Sequence, residues 1–524
     1  MKSLEGVELP ETFDELVDCV RNRHNSRKIA EKSLKNRRIF ADKAEKFHVD
    51  SDTLTSPVKK SIETLESEKE CIFLFSSHQP NFMPYSGVVR KLTLMEAVRV
   101  RLETVCSTPV ISLLSISDKA LPDRWVKNAQ LPDIRMSEGY VNISNPEIQK
   151  KHHNRLTGYG KYTTRISSIP KPSPEVLSTW KDTIKSWIDG TLTLTKKLAH
   201  KNGFEIPMEQ INVLFENTRE IMQIIDESYE QARNYADLNA FLLSKIVNRS
   251  FGYSTILVRY SELMEILKDE ISLLSCNYER YFEALKEAFV KTKNFVPDLE
   301  LAPFWYHCEC GGMANLTFQN LESVNLYMGD CTNCQRNYKI DIKEITSEKS
   351  NFFSNISLRA IPFLVVYLKG LEPDLYVGGT GGLTEYYPQA KIVAEKLGTE
   401  WPVIGVWNPH DRYAGIGQLH AFLASKEENP LKVKQRIHKV FEDKYSIVDY
   451  AVNIGLGETS QQWLNWLLNK NGNSNLTSDV YMDSVFAGKF EQEFLEFVKN
   501  DLSTFLTSKS DLSKKNGDLY CLES

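Results

Sequence analysis

The chain reads as an α/β protein: a Rossmann-like parallel-sheet core carrying a helical insert, a zinc ribbon and a helical C-terminal region. Three observations predict this. Short apolar segments over 71–77, 110–117, 374–377 and 402–407 each run into polar or glycine residues, as buried parallel strands do. Helical periodicity separates them, giving strand, loop, helix, strand units. Four cysteines in two close pairs interrupt the chain between the two halves of the core.

The elements follow in order. Residues 1–70 form a basic helical region, loaded with Arg21, Arg23, Arg27, Lys28, Lys32, Lys35, Arg37 and Arg38. Such a run is either a solvated helical face or a surface for an anionic partner. The first part of the core occupies 71–170, with a helix from 88 to about 104 between its two strands. Residues 171–295 are mainly helical; Leu238, Phe241, Leu242 and Ile246 fall at spacings of three and four, and a short strand over 254–258 interrupts them. The zinc ribbon spans 296–345. The second part of the core, 346–425, contains the glycine loop and a helix over 390–397. Residues 426–524 read as helical, with Phe490, Phe494, Leu495 and Val498 forming an apolar stripe for a core or a homodimer seam.

Composition bounds the function. Hydrophobic residues are 41% and charged residues 25% of the 524, which points to folded domains, about two to four of them. A net charge of −5 argues against a surface built to coat nucleic acid. The N-terminus has no apolar signal-peptide core, and the longest apolar stretch, 361–368, falls far short of the roughly 20 residues that cross a bilayer. Nine cysteines, an odd number with four clustered, fit metal binding in a reducing, cytoplasmic compartment and no membrane partner.

The cluster reads H-C-E-C-G-G, then C-T-N-C after an intervening loop. Cys308, Cys310, Cys331 and Cys334 supply two knuckles of two thiolates, the tetrahedral set that Zn²⁺ accepts. His307 is an alternative ligand, and an iron–sulfur cluster fits the paired spacing less well. Four thiolates leave no open position, so the zinc is structural.

Gly378, Gly379, Thr380 and Gly381 stand between a strand and a helix, where backbone amides can crowd an anion. The run matches neither of the common phosphate-loop patterns, and glycine turns in this position are often only turns. His78, Gln79 and Asn81 leave the end of the first strand, Asp118 the second, and His410 and Asp411 the last. In open α/β sheets ligands bind off those ends.

These segments resemble, in order along most of the chain, the BshC-type family of cysteine-adding enzymes in bacillithiol synthesis. S-H-Q-P-N-F-M-P-Y-S-G after the first strand, S-I-S-D ending at Asp118, A-D-L-N-A-F-L-L-S-K-I-V-N-R-S-F-G-Y-S, and Leu358-Arg359 followed by Tyr376-Val377-Gly378-Gly379-Thr380-Gly381 carry the resemblance. Here Gly382 stands where that family has an acid, Glu385 being the nearest, and the cysteine ribbon is not part of the family pattern. The resemblance implies a nucleotidyl-transferase-like core, a dimerising coiled coil and ATP-dependent joining of an amino acid to an amine.

The expected activity is therefore an ATP-dependent, C–N bond-forming ligase acting on a small amine, with cysteine as the amino acid the resemblance points to. In that scheme Gly378 to Gly381 cradle the phosphates with Arg359 as counter-charge, unless Arg359 is a buried structural arginine paired with Asp374 or Glu385. His78, Gln79 and Asn81 face the nucleotide, with His410 and Asp411 beside them, and Asp118 orients the amine. The rival reading is a non-catalytic protein that uses the zinc ribbon and the basic helices to hold RNA or a protein partner; nucleic acid is the less favoured partner.

Overall fold

A computed structural model describes residues 12–67, 70–119, 128–133, 136, 140–146, 165–201, 205–292, 300–321, 324–345, 351–379, 382, 386–409, 446–448, 451–452, 455–468 and 517–522. The fold is α/β, as predicted. The chain enters through helices α1 (Phe13–Ser26), α2 (Glu31–Asp50) and α3 (Ser56–Glu66). Thr12 caps α1 in a capping box with Glu15. Strand β1 (Ile72–His78), helix α4 (Ser86–Val105) and strand β2 (Val110–Ile116) follow. A hairpin of β3 (Asn128–Pro132) and β4 (Tyr140–Ser144) leads to helices α5 (Pro174–Lys201), α6 (Met208–Gln231) and α7 (Tyr235–Ser244), then β5 (Ile256–Arg259).

Helices α8 (Tyr260–Ile266), α9 (Lys268–Cys276) and α10 (Tyr278–Lys291) precede the cysteine-bearing segment. That segment holds β6 (Phe304–His307), β7 (Met313–Ala314), β8 (Thr317–Leu321), β9 (Val324–Asp330), β10 (Asn337–Asp341), a turn of helix α11 (Ile342–Ile345) and β11 (Ile356–Leu358). Helix α12 (Ala360–Leu371), β12 (Leu375–Gly378), α13 (Tyr387–Lys396) and β13 (Val403–Pro409) return the chain to the main sheet. Helix α14 (Leu456–Leu468) and strand β14 (Gly517–Leu522) complete the described elements.

The main sheet has the order β14-β13-β12-β1-β2-β5. The five strands from β13 to β5 are parallel, and β14 pairs antiparallel with β13 at the edge. The core strands are mostly apolar, with a few buried serines such as Ser76, Ser112 and Ser115, because both faces are covered. Along β1, Ile72 and Leu74 join one apolar core with α1, α4 and the helical insert. Phe73 and Phe75 join the other, with α2, α3, α8 to α10, α12 and α13. The N-terminal helices thus pack on both faces of the sheet. Each fully buried Leu or Phe contributes about 1.5–3 kcal/mol of transfer free energy.

Two features differ from the sequence reading. The C-terminal part ends in a strand, not only helices, because 517–522 finds the open edge of β13. The β3–β4 hairpin also went unread, its strands being only five residues each and strand preference depending on context.

Candidate functional site

Parallel strands put their following loops on one edge, and chain order picks out one place along it. From β1 the chain moves outward through β2 to β5, then crosses back to β12 on the other side of β1. The topological switch point therefore lies between the C-terminal ends of β1 and β12, the position where open α/β sheets bind ligands.

His78 ends β1 at this crevice. Its Nε2 lies 2.6 Å from the Tyr85 hydroxyl and its Nδ1 2.6 Å from the Gln79 carbonyl. Gln79 is half-buried beside it. Asn81 is buried; its amide nitrogen turns back to the Met83 carbonyl at 3.2 Å, and its Oδ1 has no partner among the described residues. Helix α4 then starts with no side-chain cap on its first amides. Such amides carry the positive end of the helix dipole.

On the β12 side the glycines divide into two kinds. A Cβ on Gly378 or Gly382 would overlap the ring of Tyr387, so these two glycines exist to admit a buried phenol. The Gly379 amide donates to that phenol oxygen at 3.3 Å, and burial pushes the Tyr387 pKa well up. A Cβ on Gly379 would instead meet the Lys91 side chain, at 3.4 Å from Cε and 3.7 Å from Nζ, ordinary contact distances. Lys91 comes from the second turn of α4, so its ammonium bridges the crevice from the β1 side to the β12 side. Thr380, Gly381, His410 and Asp411 lie outside the described residues.

Asp118 is at the strand-end edge, as expected, but its carboxylate is already engaged. Only 7% exposed, it accepts from the Ser261 amide at 2.8 Å and from the Ser261 hydroxyl, capping the start of α8. Burial raises its pKa, only partly opposed by Lys119 and Ser261. Lys119, buried alongside, is lowered by burial and donates to the Ser354 carbonyl at 2.9 Å. Asp118 caps a helix two strands away from the glycine turn.

Arg359 departs further from expectation. Its Nε donates to the Ala302 carbonyl at 2.7 Å, its Nη2 to the Asn315 side chain, and its guanidinium stacks 3.9 Å over Trp305. Its contacts are those of a structural arginine, with partners at the base of the cysteine segment and not Asp374; Glu385 lies outside the described residues. These contacts give no support to a phosphate counter-charge role.

Lys91 and Tyr387 are the crevice residues that sequence reasoning missed. Lys91 lies inside a helical pattern with nothing to mark it. Tyr387 carried a usable signal: a large aromatic five residues beyond Gly382, in a turn whose glycines needed a reason.

The cysteines come together as predicted. The ligand atoms of Cys308, Cys310, Cys331 and Cys334 all lie within 4.8 Å of one another, with Cys308 and Cys334 sulfurs 3.5 Å apart and Cys310 and Cys331 sulfurs 3.6 Å apart. Four thiolates at about 2.3 Å from one tetrahedral ion stand roughly 3.8 Å apart, so the spacing suits a metal. The Gly312 amide points at Cys310 Sγ and the Asn333 amide at Cys331 Sγ, each 3.4 Å away. Gly311 turns the first knuckle at φ +83°, a conformation a side chain rarely adopts. His307 is not a fifth member: its Nε2 meets the Ser357 hydroxyl in the β6–β11 sheet, and burial holds its pKa well down.

The basic load of the N-terminal helices is divided: Arg27 and Arg37 turn inward, while Lys28, Lys32, Lys35 and Arg38 are exposed. Arg27 reaches Asp374 at 2.7 Å, Arg37 lies over the Phe73 ring and donates to the Leu371 carbonyl, and Lys32 pairs with Glu270 at 2.6 Å. Arg21 and Arg23 face Asp18 and Glu400. No helix among the described residues is long and apolar enough to cross a membrane. Comparison with known proteins finds no family model that matches the chain and no curated protein that matches it.

Proposed function

We propose that the chain binds the phosphates of a nucleotide in the crevice between β1 and β12, and that the four cysteines hold a structural zinc ion. One observation carries the nucleotide reading: at the topological switch point the Lys91 side chain lies against Gly379, across from His78. A lysine ammonium, the open start of α4 and a glycine that leaves room for close approach form an anion site of the kind helix N-termini and glycine turns make. His78, with both ring nitrogens engaged by Tyr85 and the Gln79 carbonyl, would form the wall of the crevice on the β1 side.

The finer form of this proposal is ATP-dependent joining of an amino acid to a small amine, which the family resemblance suggests. Positioning would supply most of its rate. Asp118 and Arg359 are left out of that chemistry, since their contacts are structural. The RNA-binding alternative keeps the exposed Lys28, Lys32, Lys35 and Arg38 but not Arg27 and Arg37, which are paired within the fold.

The test is calorimetric titration of the whole chain with ATP. Saturable binding that Lys91→Ala weakens at least tenfold, with the thermal midpoint of the variant unchanged, is the expected result. Equal affinity in wild type and variant removes the crevice. Release of phosphate or pyrophosphate only when ATP, cysteine and an amino sugar conjugate are present together would support ligation; release that is independent of the amino acid would count against it.

A further inference from the structure

At the opposite edge of the sheet, helices α9, α10, α12 and α13 enclose a recess of about 120 Å³. The location follows from topology. Helices α12 and α13 feed β12 and β13, so their C-terminal ends lie at the strands' starting edge, away from the crevice. The recess is lined where α9 ends, by the last turn of α12 and by the end of α13.

The lining has two chemistries. Val365 and Val366 give an apolar wall. Glu270, Arg280, Lys369 and Thr399 give a polar one. Glu270 is 5% exposed; one carboxylate oxygen is 2.6 Å from Lys32, and the other, Oε2, has no hydrogen-bond partner among the described residues. Thr399 Oγ1 is likewise buried without a partner. A buried polar atom left unpaired is costly, and two in the wall of one recess point to a ligand that supplies the missing partners. Arg280 and Lys369 bring positive charge to the same recess, and Arg280 also ties α10 to the Lys396 carbonyl at 2.7 Å.

We propose that this recess binds a small free amino acid with an aliphatic side chain. The ammonium group meets Glu270 Oε2 and Thr399; the carboxylate meets Arg280 and Lys369; the side chain lies on Val365 and Val366. At about 120 Å³ the recess is smaller than the ~150 Å³ cavity that holds a benzene ring, so it takes the ammonium and side chain of a small amino acid, with the carboxylate at its mouth beside the exposed Arg280. A simple cation leaves the positive charges of Arg280 and Lys369 without an anion, and a simple anion leaves Glu270 Oε2 without a donor. Only a molecule bearing both charges answers both. The site is separate from the crevice and does not depend on the nucleotide reading.

The experiment is calorimetry on the full chain with L-valine, isobutylamine and isovalerate as probes. The last two each lack one of valine's charged groups. Saturable valine binding, with both analogues at least tenfold weaker, is the expected result. Glu270→Gln and Arg280→Ala each lower valine affinity at least tenfold, while the crevice variant Gly379→Ala retains it. Arg280 is exposed, so its variant tests the site even if replacing buried Glu270 disturbs folding. No saturable binding of valine, or valine binding that Arg280→Ala leaves unchanged, overturns the proposal. Equal binding of isobutylamine would also overturn it, reducing the recess to a cation site.

Discussion

At Asp374 a carboxylate with no exposed surface is held by four groups: Arg27 at 2.7 Å, the Phe73 amide at 2.8 Å, His24 at 3.4 Å and the charge of Arg37. Burial alone would raise its pKa; the His24 contact, Arg27 and the Phe73 amide outweigh burial and hold it below the ordinary value. A depressed carboxylate contributes stability that is fully present above its unfolded pKa of about 3.9 and is lost as pH falls through the folded value. Asp374→Ala is expected to cost about 3–5 kcal/mol in urea unfolding at pH 7, since it strands a buried arginine. Asp374→Asn should show a smaller loss of stability than wild type between pH 5 and about pH 3; an unchanged acid slope would show that other carboxylates set it. Asp118 makes the opposite case. Asp118→Asn keeps an acceptor for the Ser261 amide and should shift the thermal midpoint little, whereas Asp118→Ala uncaps α8 at about 1–2 kcal/mol. A greater loss from the Asn variant than from Ala would show that the carboxylate charge itself is needed.

At the level of elements, the cysteine segment is two knuckles joined to strands. The Cys308 amide donates to the Gly312 carbonyl at 2.9 Å, and the Cys331 amide to the Arg336 carbonyl at 2.9 Å, each closing a turn round a pair of sulfurs. Gly311 also contacts the strand-end edge of the main sheet, its carbonyl accepting from the Arg165 amide at 3.0 Å. A metal ion held by these four sulfurs would therefore be coupled to folding of this region. Purified protein is expected to carry one zinc per chain by elemental analysis, and Cys331→Ser to lower the thermal midpoint together with the zinc content. Metal-free protein with an unchanged midpoint would rule this out. Gly311→Ala should also destabilise, because its φ of +83° is unfavourable for a side chain and its Cβ would press on Ser168.

Across the whole molecule, the doubly wound order of the sheet sets one crevice at the β1–β12 junction and leaves the ends of β2 and β5 for structural contacts. This separates the two inner glycines of the β12 turn in a measurable way. Gly378→Ala drives a methyl into the Tyr387 phenol and should lower the thermal midpoint. Gly379→Ala meets Lys91 only at contact distance and should fold normally while losing the midpoint rise that ATP gives wild-type protein. If both variants keep the ATP response, the glycine turn is a packing device alone.

Local pattern by itself determined the parallel strands, the intervening helices and the cysteine knuckles. Each rests on short-range chemistry: apolar runs ended by turn residues, periods of three and four, and thiolates at ligand spacing. It also placed His78, Asp118 and the glycine turn at strand ends, because a strand's direction is set along the chain. Only the tertiary structure decided what those side chains touch. Asp118 is claimed by Ser261 from a helix 143 residues later, and Arg359 by Asn315 and Trp305. Lys91 reaches Gly379 from a helix nearly 300 positions earlier in the chain. Arg27 and Arg37 turned inward because Asp374 and the carbonyls of Leu371 and Glu372 lie there to receive them. A buried polar group takes whichever partner the packing brings, and that choice depends on strand order, which the local sequence does not contain.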